Sequence, residues 1–154
     1  MTQHGRTDEP SLQVLSNDEC WTLLASQQVG RLAVVAGHYP LVVPVNYALD
    51  RRILVVRTGE GTLLQAASHA NVAFQVDQVD PIARAGWSVL VRGLAEEVTD
   101  RHREELVERT HATGATPWAP GDRGHWLRVI PHDVTGRRIV PGELPPPFLD
   151  AGYL

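Results

Sequence analysis

The sequence predicts a mainly β chain, a six-stranded antiparallel barrel with short flanking helices. Three observations carry this expectation. Period-two and β-branched runs recur at Arg31 to Ala36, Leu41 to Leu49, Ile53 to Thr58, Val72 to Val79, Trp87 to Val98 and Trp126 to Val140. The first breaks, residues 36–40 and 50–52, are short enough for hairpins but not for crossovers, so the opening strands are antiparallel. At 154 residues the chain has the length of one domain. Long antiparallel strands with few helices leave unpaired edges unless the sheet closes, and a barrel is the common solution at this size.

In chain order, residues 1–11 are polar and unpatterned and are expected to form a flexible arm. Ser16 and Glu19 then make an S-x-x-E capping box, with Leu15 and Cys20 at the positions of a hydrophobic staple. They open a helix expected over about 17–27, ended by Gly30. A second helix is expected over about 63–69, where Thr62 and Gln65 offer another capping box. A third, over about 101–113, follows Thr99 and Asp100 as candidate caps and is mostly charged. The barrel is expected to span 12–140. Residues 141–154 contain Pro145, Pro146 and Pro147, which lack the N–H needed for a sheet ladder, and read as an extended strap.

The composition narrows the functions. Fourteen basic residues, every one of them Arg, stand against 18 acidic ones for a net charge of -4, and no dense basic run exists to neutralise a nucleic-acid backbone. No run of about 18 apolar residues is present, so no membrane span is expected. The start has no apolar signal segment, and a single cysteine, Cys20, fits a reducing cytoplasm. The seven histidines lack H-x-x-x-H spacing, so a metal site is not expected.

The segment that best suits chemistry runs from strand through glycine turn to helix: Arg57, Thr58, Gly59, Glu60, Gly61, Thr62. Glycines let a backbone approach an anion closely, a helix start presents free N–H groups, Arg57 offers a planar fork, and Thr58 and Thr62 offer hydroxyls. A tight turn with an ordinary cap would read the same way. Neither a G-x-x-x-x-G-K-[ST] loop nor a dinucleotide G-x-G-x-x-G is present. In the strand around Val45, Asn46 and Tyr47, Pro44 points to an edge or a bulge, and alternation places Asn46 opposite Val45 and Tyr47. Trp87 and Ser88 open a later strand, where a tryptophan can stack on a ring or simply fill a core.

Taken in order, Val29-Gly30-Arg31-Leu32-Ala33, Pro44-Val45-Asn46-Tyr47, Arg57-Thr58-Gly59-Glu60-Gly61-Thr62, Phe74-Gln75-Val76-Asp77, Gly86 through Gly93 and Val134-Thr135-Gly136-Arg137-Arg138-Ile139 resemble the pyridoxamine 5′-phosphate oxidase-like FMN-binding split-barrel proteins, in particular their small actinobacterial and nitroimidazole-resistance-type branch. The resemblance implies a split β-barrel homodimer with FMN at the subunit interface. It implies that Arg57, Thr58, Gly61 and Thr62 hold the phosphate, that Val45, Asn46 and Tyr47 border the flavin ring, that Trp87 and Ser88 complete the site, and that Arg137 approaches from the last strand. Members commonly carry a Lys one or two residues beyond the position of Thr62, where Leu63 and Leu64 stand here. The implied function is a flavin-dependent reductase or nitroreductase-like oxidoreductase acting on a small-molecule electron acceptor. The alternative is a non-catalytic module binding flavin, the deazaflavin F420 or haem.

Overall fold

A computed structural model of the chain describes residues 9–142. Its elements run β1 (Ser11–Val14), α1 (Asn17–Ala25), β2 (Val29–Ala36), β3 (Tyr39–Asp50), β4 (Ile53–Thr58), α2 (Thr62–Ala67), β5 (Ala70–Asp80), β6 (Ala85–Val98), α3 (Glu104–Ala112) and β7 (His125–Val140). The sheet order is β1-β7-β4-β3-β2-β5-β6, and β6 pairs again with β7, so six strands close on themselves. Every pairing is antiparallel. Closure leaves little unpaired edge, which is what six long strands with few covering helices require.

A seventh strand joins the six that the sequence patterning predicts. β1 pairs Ser11 through Val14 with Val140 through Arg137, so the expected arm already enters the sheet at Ser11. All four of its residues are exposed, and a strand without a buried face shows no alternation to read. Residues 1–8 of that arm, and 143–154 of the expected strap, lie outside the described residues.

The interior is filled by alternate residues of the strands: Leu32 and Val34, Leu54 and Val56, Val72, Phe74 and Val76, Val89 and Val91, and Leu127 and Val129. Pro44 lies where β3 has β2 on one side but does not pair with β4, whose ladder begins at Tyr47, so its missing donor costs no bond there. Between Arg92 and Gly93 the β6–β7 register slips, leaving His132 as the extra residue of a bulge beside Pro131.

The helices start less uniformly than the sequence suggests. At α1 the capping box forms: the Glu19 amide donates to Ser16 Oγ at 3.2 Å and the Ser16 amide to the Glu19 carboxylate at 2.7 Å. Those bonds hold the Glu19 carboxyl below its ordinary pKa. Leu15 and Cys20 are both buried, and a Cβ on Gly136 would meet the two side chains. The second box does not form: Gly61, not Thr62, is the N-cap of α2, with φ 145°, and no side chain caps this six-residue helix. Neither Thr99 nor Asp100 caps α3. The Thr99 amide donates to His102 Nδ1 at 3.1 Å in a turn of its own, and the helix begins after Arg103.

Candidate functional site

Alternation along β4 sends Leu54, Val56 and Thr58 inward and Arg57 outward. Thr58 is buried, and among the described residues its hydroxyl reaches no partner but the neighbouring Gly59 carbonyl at 3.3 Å, so the hydroxyl expected at an anion site faces the interior instead. Gly61 adopts a positive φ that side-chain-bearing residues rarely take. At Gly59 a Cβ would stand 2.6 Å from the Asp122 carbonyl, so only glycine lets the loop before β7 cross the turn this closely. Gly61 and Thr62 are exposed.

That loop, residues 113–124, builds the outer wall. Arg57 Nε donates to the Arg123 carbonyl at 2.7 Å, and its guanidinium lies over Trp126, with Cζ 5.1 Å from the ring centroid. Trp126 in turn packs on the His111 ring of α3, with centroids 4.8 Å apart. Asn46 faces outward and accepts from the Trp118 amide at 2.8 Å, tying β3 to the same loop. Below the turn, His125 donates from Nδ1 to Glu97 at 2.6 Å and stands 3.2 Å by Nε2 from Glu60. The Glu97 hydrogen bond, with the charges of both carboxylates, raises the His125 pKa.

Tyr47 points the other way, into the core. It meets Phe74 edge-on at 4.9 Å, and its hydroxyl donates to the Leu24 carbonyl at the end of α1. Burial pushes its phenol well above the ordinary range. Val45 is half-buried and packs against the core. Beside Asn46 and Tyr47 a cavity of about 460 Å³ opens between α1, β3 and the loop after α3, with Gln28, Thr113 and Trp118 in its lining.

The outer wall is anchored by charge. Asp50 Oδ2 receives Arg109 of α3 at 2.8 Å and Arg128 of β7 at 2.9 Å, and Arg128 also donates to Thr110 Oγ1 at 2.9 Å. Burial alone would raise the Asp50 pKa, but the two arginines hold it below its ordinary value. α3 is thereby tied to β3 and β7, which gives the loop that follows it a fixed base.

Trp87, Ser88 and Arg137 gather elsewhere. Ser88 pairs with Arg137 and Asp77 across β6, and with Trp87, Leu12 and Ile139 they line a groove of about 250 Å³. Asp77 is held below its ordinary carboxyl pKa by Gln75 and Arg31, the latter at 2.8 Å. Trp87 lies near one end of β6, whereas Val98, the register partner of Trp126, closes the other. At about 3.3 Å per residue the two groups are roughly 36 Å apart along the strand. Within one chain the ten residues expected at the cofactor site therefore fall into two groups at opposite ends of β6.

Arg123 escapes a reading of the sequence. It is an isolated arginine in a Gly- and Pro-rich loop, and only the folded chain sets it against Gly59. A pattern of i, i+3 or i, i+4 neighbours offers no signal for a contact across more than sixty residues.

A closed antiparallel barrel whose longest strand bridges both ends, with a glycine turn and a short helix crossing over after β4, is a split barrel. The chain belongs to the pyridoxamine 5′-phosphate oxidase family, whose model matches residues 16–138. A Mycobacterium tuberculosis protein described as uncharacterized is 33% identical over 132 residues, covering 82% of this chain and 84% of its own. Among solved structures, the FAD binding protein from Mycobacterium smegmatis is 38% identical, with a TM-score of 0.70 over 82% of this chain and 98% of that one. An FAD-binding protein from Mesorhizobium loti is 28% identical, with a TM-score of 0.67 over 85% of this chain and 98% of that one.

Proposed function

We propose that this chain is a flavoprotein that binds FMN, or the FMN half of a larger flavin, with the phosphate at the Gly59–Thr62 turn. The observation that carries the reading is Arg57: half-buried, stacked on Trp126 and without a carboxylate partner among the described residues, it stands beside a turn where Gly61 leaves the backbone open. The flavin-binding similar structures support the same ligand class. In this reading Arg57 and the backbone amides of the turn hold the phosphate, and Asn46, fixed by Trp118, borders the ring with the half-buried Val45, while Tyr47 supports the strand from the core. Thr58 contributes backbone only.

The site is completed by a second copy of the chain. Trp87, Ser88 and Arg137 lie too far from Arg57 to serve the same ligand in one chain, so a homodimer that brings the two groups together is the arrangement that uses both. The outward face of β2, β3, β6 and β7 supports this: Val35, Val42, Leu90, Leu94 and Ile130 stand exposed there. Arg92–Asp133 adds an ion pair among them.

A bound flavin supplies electron transfer to a small-molecule acceptor, and the chain's part is to position it and exclude water. We place this oxidoreductase in the cytoplasm, in line with its one buried, unpaired cysteine. The absorbance spectrum of the protein as isolated, and after incubation with FMN and FAD, is the test. Flavin bands with one flavin per protomer, reducible by NAD(P)H or a reduced deazaflavin, are expected. A colourless protein that takes up neither flavin overturns the reading, and binding without reduction of any acceptor overturns its catalytic half.

A further inference from the structure

Five arginines of the described residues are paired with a carboxylate: Arg31, Arg52, Arg92, Arg109 and Arg128. Arg57 and Arg123 are not, although both are half-buried, and both converge on the same turn. The Arg123 Nη1 and Cδ lie 3.8 Å from where a Cβ would stand on Gly59. Its Nε is shut off from solvent and has no hydrogen-bond partner among the described residues, and Nη2 has a single long contact, to the Pro120 carbonyl at 3.4 Å. Glu60, the acid on the turn itself, is directed at His125 and not at either arginine.

A guanidinium N–H withdrawn from water without an acceptor is costly, and an anion with several oxygens that accepts from the guanidinium offsets that cost. Nothing on α2 competes for that role. The helix has six residues, and after Thr62 it continues with Leu63 and Leu64, of which Leu64 is buried. The cation that a phosphate needs there must come from another part of the chain. Arg57 has committed Nε to the Arg123 carbonyl, which leaves its terminal nitrogens for a ligand and draws the two arginines together on one side of the turn.

We propose that Arg123, from the loop before β7, is the second cationic ligand of a phosphate bound at the Gly59–Thr62 turn, beside Arg57 on the same side of the glycines. The assignment rests on the flavin reading above and adds to it a determinant of selectivity: paired planar forks favour a phosphate dianion or a pyrophosphate over an uncharged flavin. The loop from Thr113 to Gly124 is then part of the binding site and not only a connection.

Fluorescence-quenching titration of the full chain with FMN, FAD and riboflavin tests it. Arg123→Met is expected to weaken FMN and FAD by about ten- to a hundredfold, the range of a charge-assisted contact, and to leave riboflavin unchanged. Arg123→Lys, which keeps charge without the fork, falls between, and Arg101→Ala, exposed ahead of α3, matches the wild type. If Arg123→Met binds FMN as the wild type does while Arg57→Ala loses it, the Arg123 assignment is overturned and the turn stands. If the wild type binds riboflavin as tightly as FMN, the phosphate reading of the turn fails and the assignment goes with it. Equal losses for FMN and riboflavin, with a lowered Tm, would mark Arg123 as structural and also overturn it.

Discussion

Arg57 is held from two sides, by the Trp126 ring beneath its guanidinium and by the Arg123 carbonyl that accepts from its Nε. A side chain fixed in this way loses little further freedom when it meets a ligand, so its contribution to binding is not eroded by ordering entropy. Arg57→Ala is therefore expected to lower flavin retention by about ten- to a hundredfold while leaving the barrel intact. Arg57→Lys does not restore it, because an ammonium lacks the plane that stacks on Trp126. Flavin absorbance per protomer after gel filtration is the measurement.

The Asp50–Arg128–Arg109 cluster predicts a stability effect with a pH signature. Asp50→Ala leaves Arg128, 7% exposed, without its counter-ion and is expected to cost about 3 kcal/mol in urea unfolding. Because the folded Asp50 pKa lies below its ordinary 3.8, the stabilisation is fully present above the unfolded value and is lost as pH falls through the folded one. Asp50→Asn should flatten that acid limb of the stability curve.

His125 gives the opposite sign. Its pKa is raised from 6.5 by Glu97 first and by Glu60 as well, so its stabilising contribution is complete below 6.5 and disappears as pH rises through the folded value. NMR titration of the imidazole should show a midpoint above 6.5 that returns toward it in Glu97→Gln. An unchanged midpoint in that variant would refute the assignment of Glu97 as the main partner.

Gly30 pairs with Val45 in the β2–β3 ladder, and a Cβ there would stand 2.2 Å from Phe74 Cζ. Gly30→Ala should destabilise the fold by roughly 1–3 kcal/mol through overpacking. Phe74→Leu in the same chain should recover part of the loss, a coupling that thermal denaturation of the single and double variants would measure.

Leu94 and Ile130 are register partners on the outer face of β6 and β7, each more than a third exposed. Light scattering should find a dimer, and Leu94→Glu should shift it toward monomer, with flavin retention falling in parallel. Retention that survives dissociation would separate the cofactor site from the dimer.

Much of this molecule is local enough to be legible in its residues. Ser16 and Glu19 meet across three positions, so their capping box needs only a helix to form. The six barrel strands show because alternate residues are buried. β1 does not show, since its four residues have no buried face and its register is set by β7, more than a hundred residues away. The Thr62–Gln65 box also misleads, because the φ of Gly61 moves the cap one residue earlier.

Of the site, the sequence by itself determined the glycine turn and the presence of Arg57 beside it, since strand, turn and helix follow one another along the chain. Only the tertiary structure decided which way each side chain of that turn points. It turned Thr58 inward and Arg57 outward, buried the Tyr47 hydroxyl against α1, brought Arg123 to Gly59 and set Trp87, Ser88 and Arg137 at the other end of β6. The physical reason is closure of the sheet. Once β6 and β7 pair, alternation assigns every strand residue to the inside or the outside, and the loop between α3 and β7 crosses the turn where Gly59 leaves it room.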